Sequence, residues 1–342
     1  MMELEFFGAS AGVTGSCHIL RINHRQILLD CGLFQGGREE EARNRGPFPF
    51  DPASIDAVVL SHAHIDHSGR VPFLVKQGFK GPVYAQNATM ELCRVLLLDS
   101  ASLQERDAIY QNKRRARKNQ PALKPLYTTE DAVDALQQFQ GLKYNLRQEI
   151  LPGVVLRYQD AGHILGSAAV ELWLTENGHS RKLVFSGDIG HYDTPILNDP
   201  TPITEADAVL MESTYGNRLH RNRELTENEI GEVIQAARHQ KGNILIPAFA
   251  IGRSQEILYM MGMHYDDWEL DRWNIFLDSP MAIEASKIYW EYSHLYDEEA
   301  SELRQRLDTM PKLQNIHFTS SVEESQAINR IKSGAIVIAG SG

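Results

Sequence analysis

The chain has 342 residues, a formal net charge of −11 and a sequence pI near 5.6, with 42% hydrophobic and 23% charged residues. At roughly 100–200 residues per domain, this length predicts two domains, each burying its own core. The acidic balance excludes a protein that coats polyanions through bulk charge, so a nucleic-acid partner has to be argued from a local site. Three cysteines (Cys17, Cys31 and Cys93), with no close-spaced pair, exclude a disulfide framework and a thiolate zinc site, which points to a reducing cytoplasm. No basic leader and no apolar run near the roughly 18 residues of a membrane span is present, so a soluble intracellular protein is expected.

Taken in chain order, strand-like apolar runs fall at residues 4–10, 26–32, 57–64, 81–85, 154–163, 168–174, 182–188, 208–214, 243–249, 274–280 and 335–342. Most are continuous rather than alternating, as expected for strands covered on both faces. Helical stretches lie between them at 88–111, 129–140, 226–240, 253–262 and 322–332. The alternation predicts an α/β protein. After the first helix comes a basic run at 112–124, with Lys113, Arg114, Arg115, Arg117 and Lys118. It reads as a solvated helix end and loop, with a place at a nucleic-acid entrance as the alternative. A segment rich in Pro, Asp and Thr at 195–207 marks a boundary, giving expected domains 1–208 and 209–342. The chain stops in what reads as a strand-to-helix turn, so a fragment of a longer protein is expected.

The densest chemistry lies in "SHAHIDHSGR" (61–70), directly after the run "AVVL". His62 and His64 alternate on one face of an extended segment and can point at one ion. Asp66 and His67 belong to the following turn and aim at a neighbouring position. Imidazole and carboxylate without thiolate suit a catalytic zinc or a similar first-row ion. His163 in "DAGHILGS" and Asp188 in "FSGDIG" also end strand-like runs. A carboxylate is the natural bridge between two cations, holding them about 3.5–4 Å apart. For a histidine taken singly, such as His163 or His191, a hydrogen-bonded core role is the ordinary alternative.

With Asp30 in "LLDCG", these motifs resemble the metallo-β-lactamase superfamily. The resemblance implies an αββα sandwich and one zinc held by His62, His64, His163 and the bridging Asp188. It implies a second zinc on Asp66, His67 and the same Asp188, with Asp30 bracing the ligand loops by hydrogen bonds. In the second half, "MESTYGNR" (211–218), "IPAFAIGRSQE" (246–256), "LDSPMA" (277–282) and "AIVIAGSG" (335–342) resemble the β-CASP branch, an α/β insert found in nucleic-acid processing members. The likeness is to the RNA-cleaving ones, bacterial ribonucleases and the pre-mRNA 3′-end endonuclease. Glu212 matches a signature carboxylate of that branch and favours RNA over DNA.

The expected activity is therefore zinc-dependent hydrolysis of single-stranded RNA by a hydroxide shared between two zincs. Asp66 and Glu212 are the catalytic carboxylates, and Asp66 also handles the proton. Arg253, at a helix start, and Ser279, in a turn before a proline, are the expected phosphate contacts, with ordinary strand-to-helix punctuation as the alternative. The resemblance also implies two downstream histidines that lie beyond the insert and are not matched here. A small-molecule thioesterase or lactonase and a non-catalytic subunit of an RNA-processing complex are the alternatives, and a homodimer is possible.

Overall fold

The computed structural model describes residues 2–306 and 315–340. Contacts divide the chain into two compact units: residues up to His191 with Pro200–Glu212, and Tyr192–Asp199 with the residues from Ser213 onward.

The first unit opens as an antiparallel meander of β1 (Glu3–Phe6), β2 (His18–Ile22) and β3 (Arg25–Leu29). Asn23 and His24 link β2 to β3 with φ of 49° and 59°. Two consecutive left-handed residues make the tight turn whose twist suits a hairpin, and Asn tolerates that region well. After α1 (Arg38–Arg43), strands β4 (Ala57–Val59), β5 (Val83–Gln86) and β6 (Phe139–Leu142) extend the sheet in parallel, in the order β1-β2-β3-β4-β5-β6. The parallel connections need helices: α2 (Ile65–Ser68) and α3 (Val71–Lys76) join β4 to β5, and α4 (Asn87–Ala116) and α5 (Thr129–Leu136) join β5 to β6. The helix expected at 129–140 ends at Leu136, because Phe139–Leu142 finds the open edge of β5 and pairs with it.

The second sheet runs β11-β10-β9-β8-β7, with β7 (Gln148–Leu151), β8 (Val154–Asp160), β9 (Ala168–Glu176), β10 (His179–Phe185) and β11 (Ala208–Leu210). Leu20, Ile22, Ile27, Leu29 and Val59 of the first sheet share one buried cluster with Leu156, Tyr158, Val170, Leu172, Leu183 and Phe185 of the second. The core therefore lies between the sheets. Continuous apolar strands were expected, but β8 to β10 are antiparallel and alternate. Their opposite face carries Arg157 and Lys182, each 2.5 Å from the Glu171 carboxylate, beside Trp173. An antiparallel sheet needs only one apolar face.

In the second unit β12 (Ile244–Ala248), β13 (Asn274–Asp278), β14 (Ile316–Phe318) and β15 (Ala335–Gly340) form a parallel sheet in the order β12-β15-β13-β14. It is accompanied by α6 (Arg223–His239), α7 (Arg253–Met263), α8 (Pro280–Glu291), α9 (Glu298–Arg306) and α10 (Val322–Ile328). Ile234, Leu258, Met261, Trp268, Ile275, Leu277, Ile336 and Ile338 make its core. The last expected strand, 335–342, is present through Gly340, and positions 341 and 342 lie outside the described residues. The α/β class holds in both units. Among the described residues no helix is long and apolar enough to cross a membrane, and the three cysteines are buried and unpaired.

Candidate metal centre

Every candidate ligand sits just past the carboxyl end of a strand. The loop after β4 carries His62 and His64, the short helix α2 that follows carries Asp66 and His67, the loop after β8 carries His163, and the loop after β10 carries Asp188. Backbone bonds clamp these loops together. Ala168 N–H donates to the Ser61 carbonyl (2.9 Å), Gly190 N–H to Ala161 (2.8 Å) and Ser16 N–H to Asp66 (2.9 Å). Cys31 N–H donates to the His67 carbonyl at 2.7 Å.

One nitrogen of each of His62, His64 and His163 and one oxygen of Asp188 lie within 4.8 Å of one another. His64 Nδ1 is 3.1 Å from His62 Nε2 and 3.2 Å from His163 Nε2. Asp188 Oδ2 is 3.8 Å from His62 Nε2 and 3.6 Å from His163 Nε2. Ligands about 2.0–2.1 Å from a tetrahedral zinc stand about 3.3–3.4 Å apart, and these spacings scatter about that value, as four groups that could hold such an ion should. Nitrogen lone pairs facing one another this closely are unfavourable unless a cation or proton lies between them.

On the other side of the same carboxylate, Asp188 Oδ1 is 3.3 Å from His67 Nε2, and Asp66 Oδ2 is 3.9 Å from that nitrogen. Asp188 thus turns one oxygen to each side, and the residues expected as ligands are brought together. His67 Nδ1 lies 2.7 Å from Asp30 Oδ2. A carboxylate only accepts, so Nδ1 carries the proton and Nε2 is directed at Asp188.

Burial shapes the titration of each group. Burial, then the neighbouring charges of His67, His64 and His163, hold His62 well below the usual imidazole range. His163 is pushed down to about 4, first by burial and next by His64. For His67 burial acts downward, but the Asp30 and Asp188 carboxylates outweigh it and raise the ring well above its ordinary value. Burial acts to raise Asp188, yet the hydrogen bond and charge of His67, with His163 and His64, bring it down to about 2. Asp66 is raised, by burial first and against the opposing charge of His67. The pocket thus favours the deprotonated forms of His62, His163 and Asp188 at neutral pH, the forms that could hold a cation.

Asp30 is fully buried, with φ +56°, and accepts from Ser16 Oγ (3.0 Å), Ser61 N (2.7 Å), Ser61 Oγ (2.9 Å) and His67 Nδ1. Sequence reasoning missed Ser16, Ser61 and Ser167, whose hydroxyl accepts from His163 N at 3.0 Å. It also missed two glycines. A Cβ on Gly32 would stand 1.6 Å from the Asp66 carbonyl oxygen, and one on Gly190 would stand 1.7 Å from that of Gly162. The signal was available: "DCG" and "DIG" are both Asp-x-Gly just after a strand. Because the clash at Gly32 is with backbone, Gly32→Ala is expected to destabilise the protein by on the order of 3 kcal/mol in chemical denaturation.

Glu212 lies beside the Asp188 loop, where its Oε1 accepts from Ile189 N at 2.7 Å. In the second unit, Arg253 is ion-paired with Glu256 at 2.5 Å, and Ser279 caps α8 by accepting from Ala282 N at 3.2 Å.

The Metallo-beta-lactamase superfamily pattern matches residues 11–225 and the Beta-Casp domain pattern matches residues 254–342. The chain belongs to the metallo-β-lactamase superfamily and carries a Beta-Casp domain. It is 39% identical over 345 residues to Ribonuclease TTHA0252 of Thermus thermophilus, covering all of this chain and 73% of that one. It is 31% identical over 348 residues to Probable RNase MJ4 of Methanocaldococcus jannaschii, again covering 100% and 73%. Cleavage and polyadenylation specificity factor 73 of Drosophila melanogaster is 27% identical over 299 residues, 85% of this chain and 40% of that protein.

Proposed function

We propose that this protein hydrolyses RNA phosphodiester bonds in a zinc-dependent reaction. The observation that carries the reading is the convergence of three imidazoles and Asp188 at spacings that fit a tetrahedral ion. Relatives named as ribonucleases, aligned over the whole chain, support RNA as the substrate. In this reading residues 1–208 form the catalytic domain and 209–342 the β-CASP domain.

His62, His64, His163 and Asp188 would hold one zinc, and Asp66, His67 and Asp188 a second. Zinc bound there supplies a lowered pKa for water and positive charge against the phosphate oxygens. Asp66 would take the proton from the attacking water. Asp30 holds the His67 ring in the tautomer and orientation that keep Nε2 on Asp188. Glu212 holds the Asp188 loop through the Ile189 N–H, and its carboxylate would act beside the metal centre.

The test is metal analysis followed by incubation with end-labelled single-stranded RNA, single-stranded DNA and a thioester. Zinc content and cleavage of RNA are both expected, and both should be lost after dialysis against a chelator. Cleavage of the thioester alone, or RNA cleavage indifferent to the chelator, would sink the proposal.

A further inference from the structure

Helix α4 is 30 residues long, so its axis runs about 45 Å. Its first turn is tied to the His163 loop, where Thr89 Oγ1 donates to the Gly166 carbonyl at 2.6 Å. Its last turn and the loop beyond carry Lys113, Arg114, Arg115, Arg117 and Lys118, with no acidic residue between Asp107 and Glu130. Lys113, Arg114, Arg117 and Lys118 are exposed. None of these four side chains has an ion-pair or hydrogen-bond partner among the described residues. Arg115 differs, since its Nε donates to the Pro121 carbonyl at 2.7 Å.

Cations in a last turn offset the helix dipole, but that effect is confined to the final turn and is met by one or two charges. Four unpaired cations on a chain of net charge −11 need another explanation. Tyr110 is 61% exposed and stands one helical turn before Arg114, and Ile109, 59% exposed, stands one turn before Lys113. An exposed ring interleaved with unpaired cations is the combination that holds single strands, through stacking and phosphate contacts.

We infer that the far end of α4, centred on Tyr110, Lys113, Arg114, Arg117 and Lys118, is a second RNA-binding surface remote from the metal centre. The inference rests on RNA being the substrate. Thr89 and Lys113 are 24 positions apart, about 36 Å along the axis. At about 3.4 Å per stacked nucleotide, a strand engaging both ends spans about eleven nucleotides. The surface therefore serves long substrates and leaves short ones untouched.

The test compares a 6-mer and a 24-mer single-stranded RNA on the full chain. The variant combines Lys113→Gln, Arg114→Gln, Arg117→Gln and Lys118→Gln, with Tyr110→Ala as a separate change. The four-fold variant should raise the 24-mer KM about 10-fold, with kcat and 6-mer cleavage unchanged. Its salt slope for 24-mer binding should be shallower by about 0.7 per lost phosphate contact, close to 3 in all. Arg at positions 113 and 118, made as Lys113→Arg and Lys118→Arg, should keep wild-type binding.

An unchanged 24-mer salt slope in a folded four-fold variant, or an equal loss for both lengths, would overturn the surface. So would vesicles of phosphatidylserine and phosphatidylcholine binding through these residues while RNA binding stayed the same. A wild-type protein that binds the 24-mer through this surface but cleaves nothing supports the surface and overturns the hydrolysis reading alone.

Discussion

Asp188→Ala is expected to abolish RNA cleavage, by on the order of 10³-fold or more, while the protein still folds. The effect is large because one side chain faces both halves of the site. Oδ2 stands with His62 and His163, and Oδ1 faces His67. Removing it takes one oxygen from the group of four that could hold an ion and the anion from beside His67. Bound zinc should fall with activity, measured by elemental analysis after desalting. Folding should survive because the side chain is 31% exposed and the loop is held by main-chain and Glu212 bonds instead. Asp188→Asn separates charge from shape: it keeps the size of the side chain and should lose metal just as alanine does. Retained zinc and retained cleavage in both variants would remove Asp188 from the mechanism.

Asp30→Ala should act on the fold itself. The fully buried carboxylate accepts four hydrogen bonds, and alanine leaves the Ser61 N–H, two hydroxyls and the His67 ring without that acceptor. Stranding a buried donor costs about 1–3 kcal/mol, and the donors are neighbours, so about 3–5 kcal/mol in total is expected rather than a simple sum. Alanine also has to hold φ +56°, which adds roughly 1 kcal/mol. Asn tolerates that backbone conformation, so Asp30→Asn should be less destabilising in denaturant titrations. It should still lose about 10–100-fold in zinc affinity, because the His67 ring is no longer held by a charged acceptor. Equal stability of the wild type, the Ala variant and the Asn variant would mean that the hydrogen-bonded cluster contributes nothing.

Much of the centre could be read before any coordinates, for a simple reason. His62, His64, Asp66 and His67 are close in the chain, and covalent connectivity alone keeps four polar groups together after an apolar run. His163 and Asp188 also ended apolar runs, but nothing local says where those ends meet. His64 and His163 are 99 positions apart, and their 3.2 Å contact exists only because β4 and β8 present their carboxyl ends at the same edge of two packed sheets. Likewise, serine hydroxyls such as Ser16 and Ser61 are ordinary in a sequence and become specific only when a buried carboxylate needs donors.

The elements divide in the same way. Long apolar runs such as β12, β13 and β15 declared themselves, because burying a continuous apolar strand is favourable in almost any sheet. Phe139–Leu142 did not, since its conformation is decided by the free edge of β5. The amino-acid sequence by itself determined the α/β class, the metal-binding chemistry and the Asp-x-Gly turns, all of which depend on residue type and near neighbours. The tertiary structure decided which nitrogens and oxygens converge, which carboxylate is taken up by buried hydrogen bonds, and which lysines and arginines have no side-chain partner among the described residues. Those depend on distances between residues far apart in the chain, set by sheet packing and helix length.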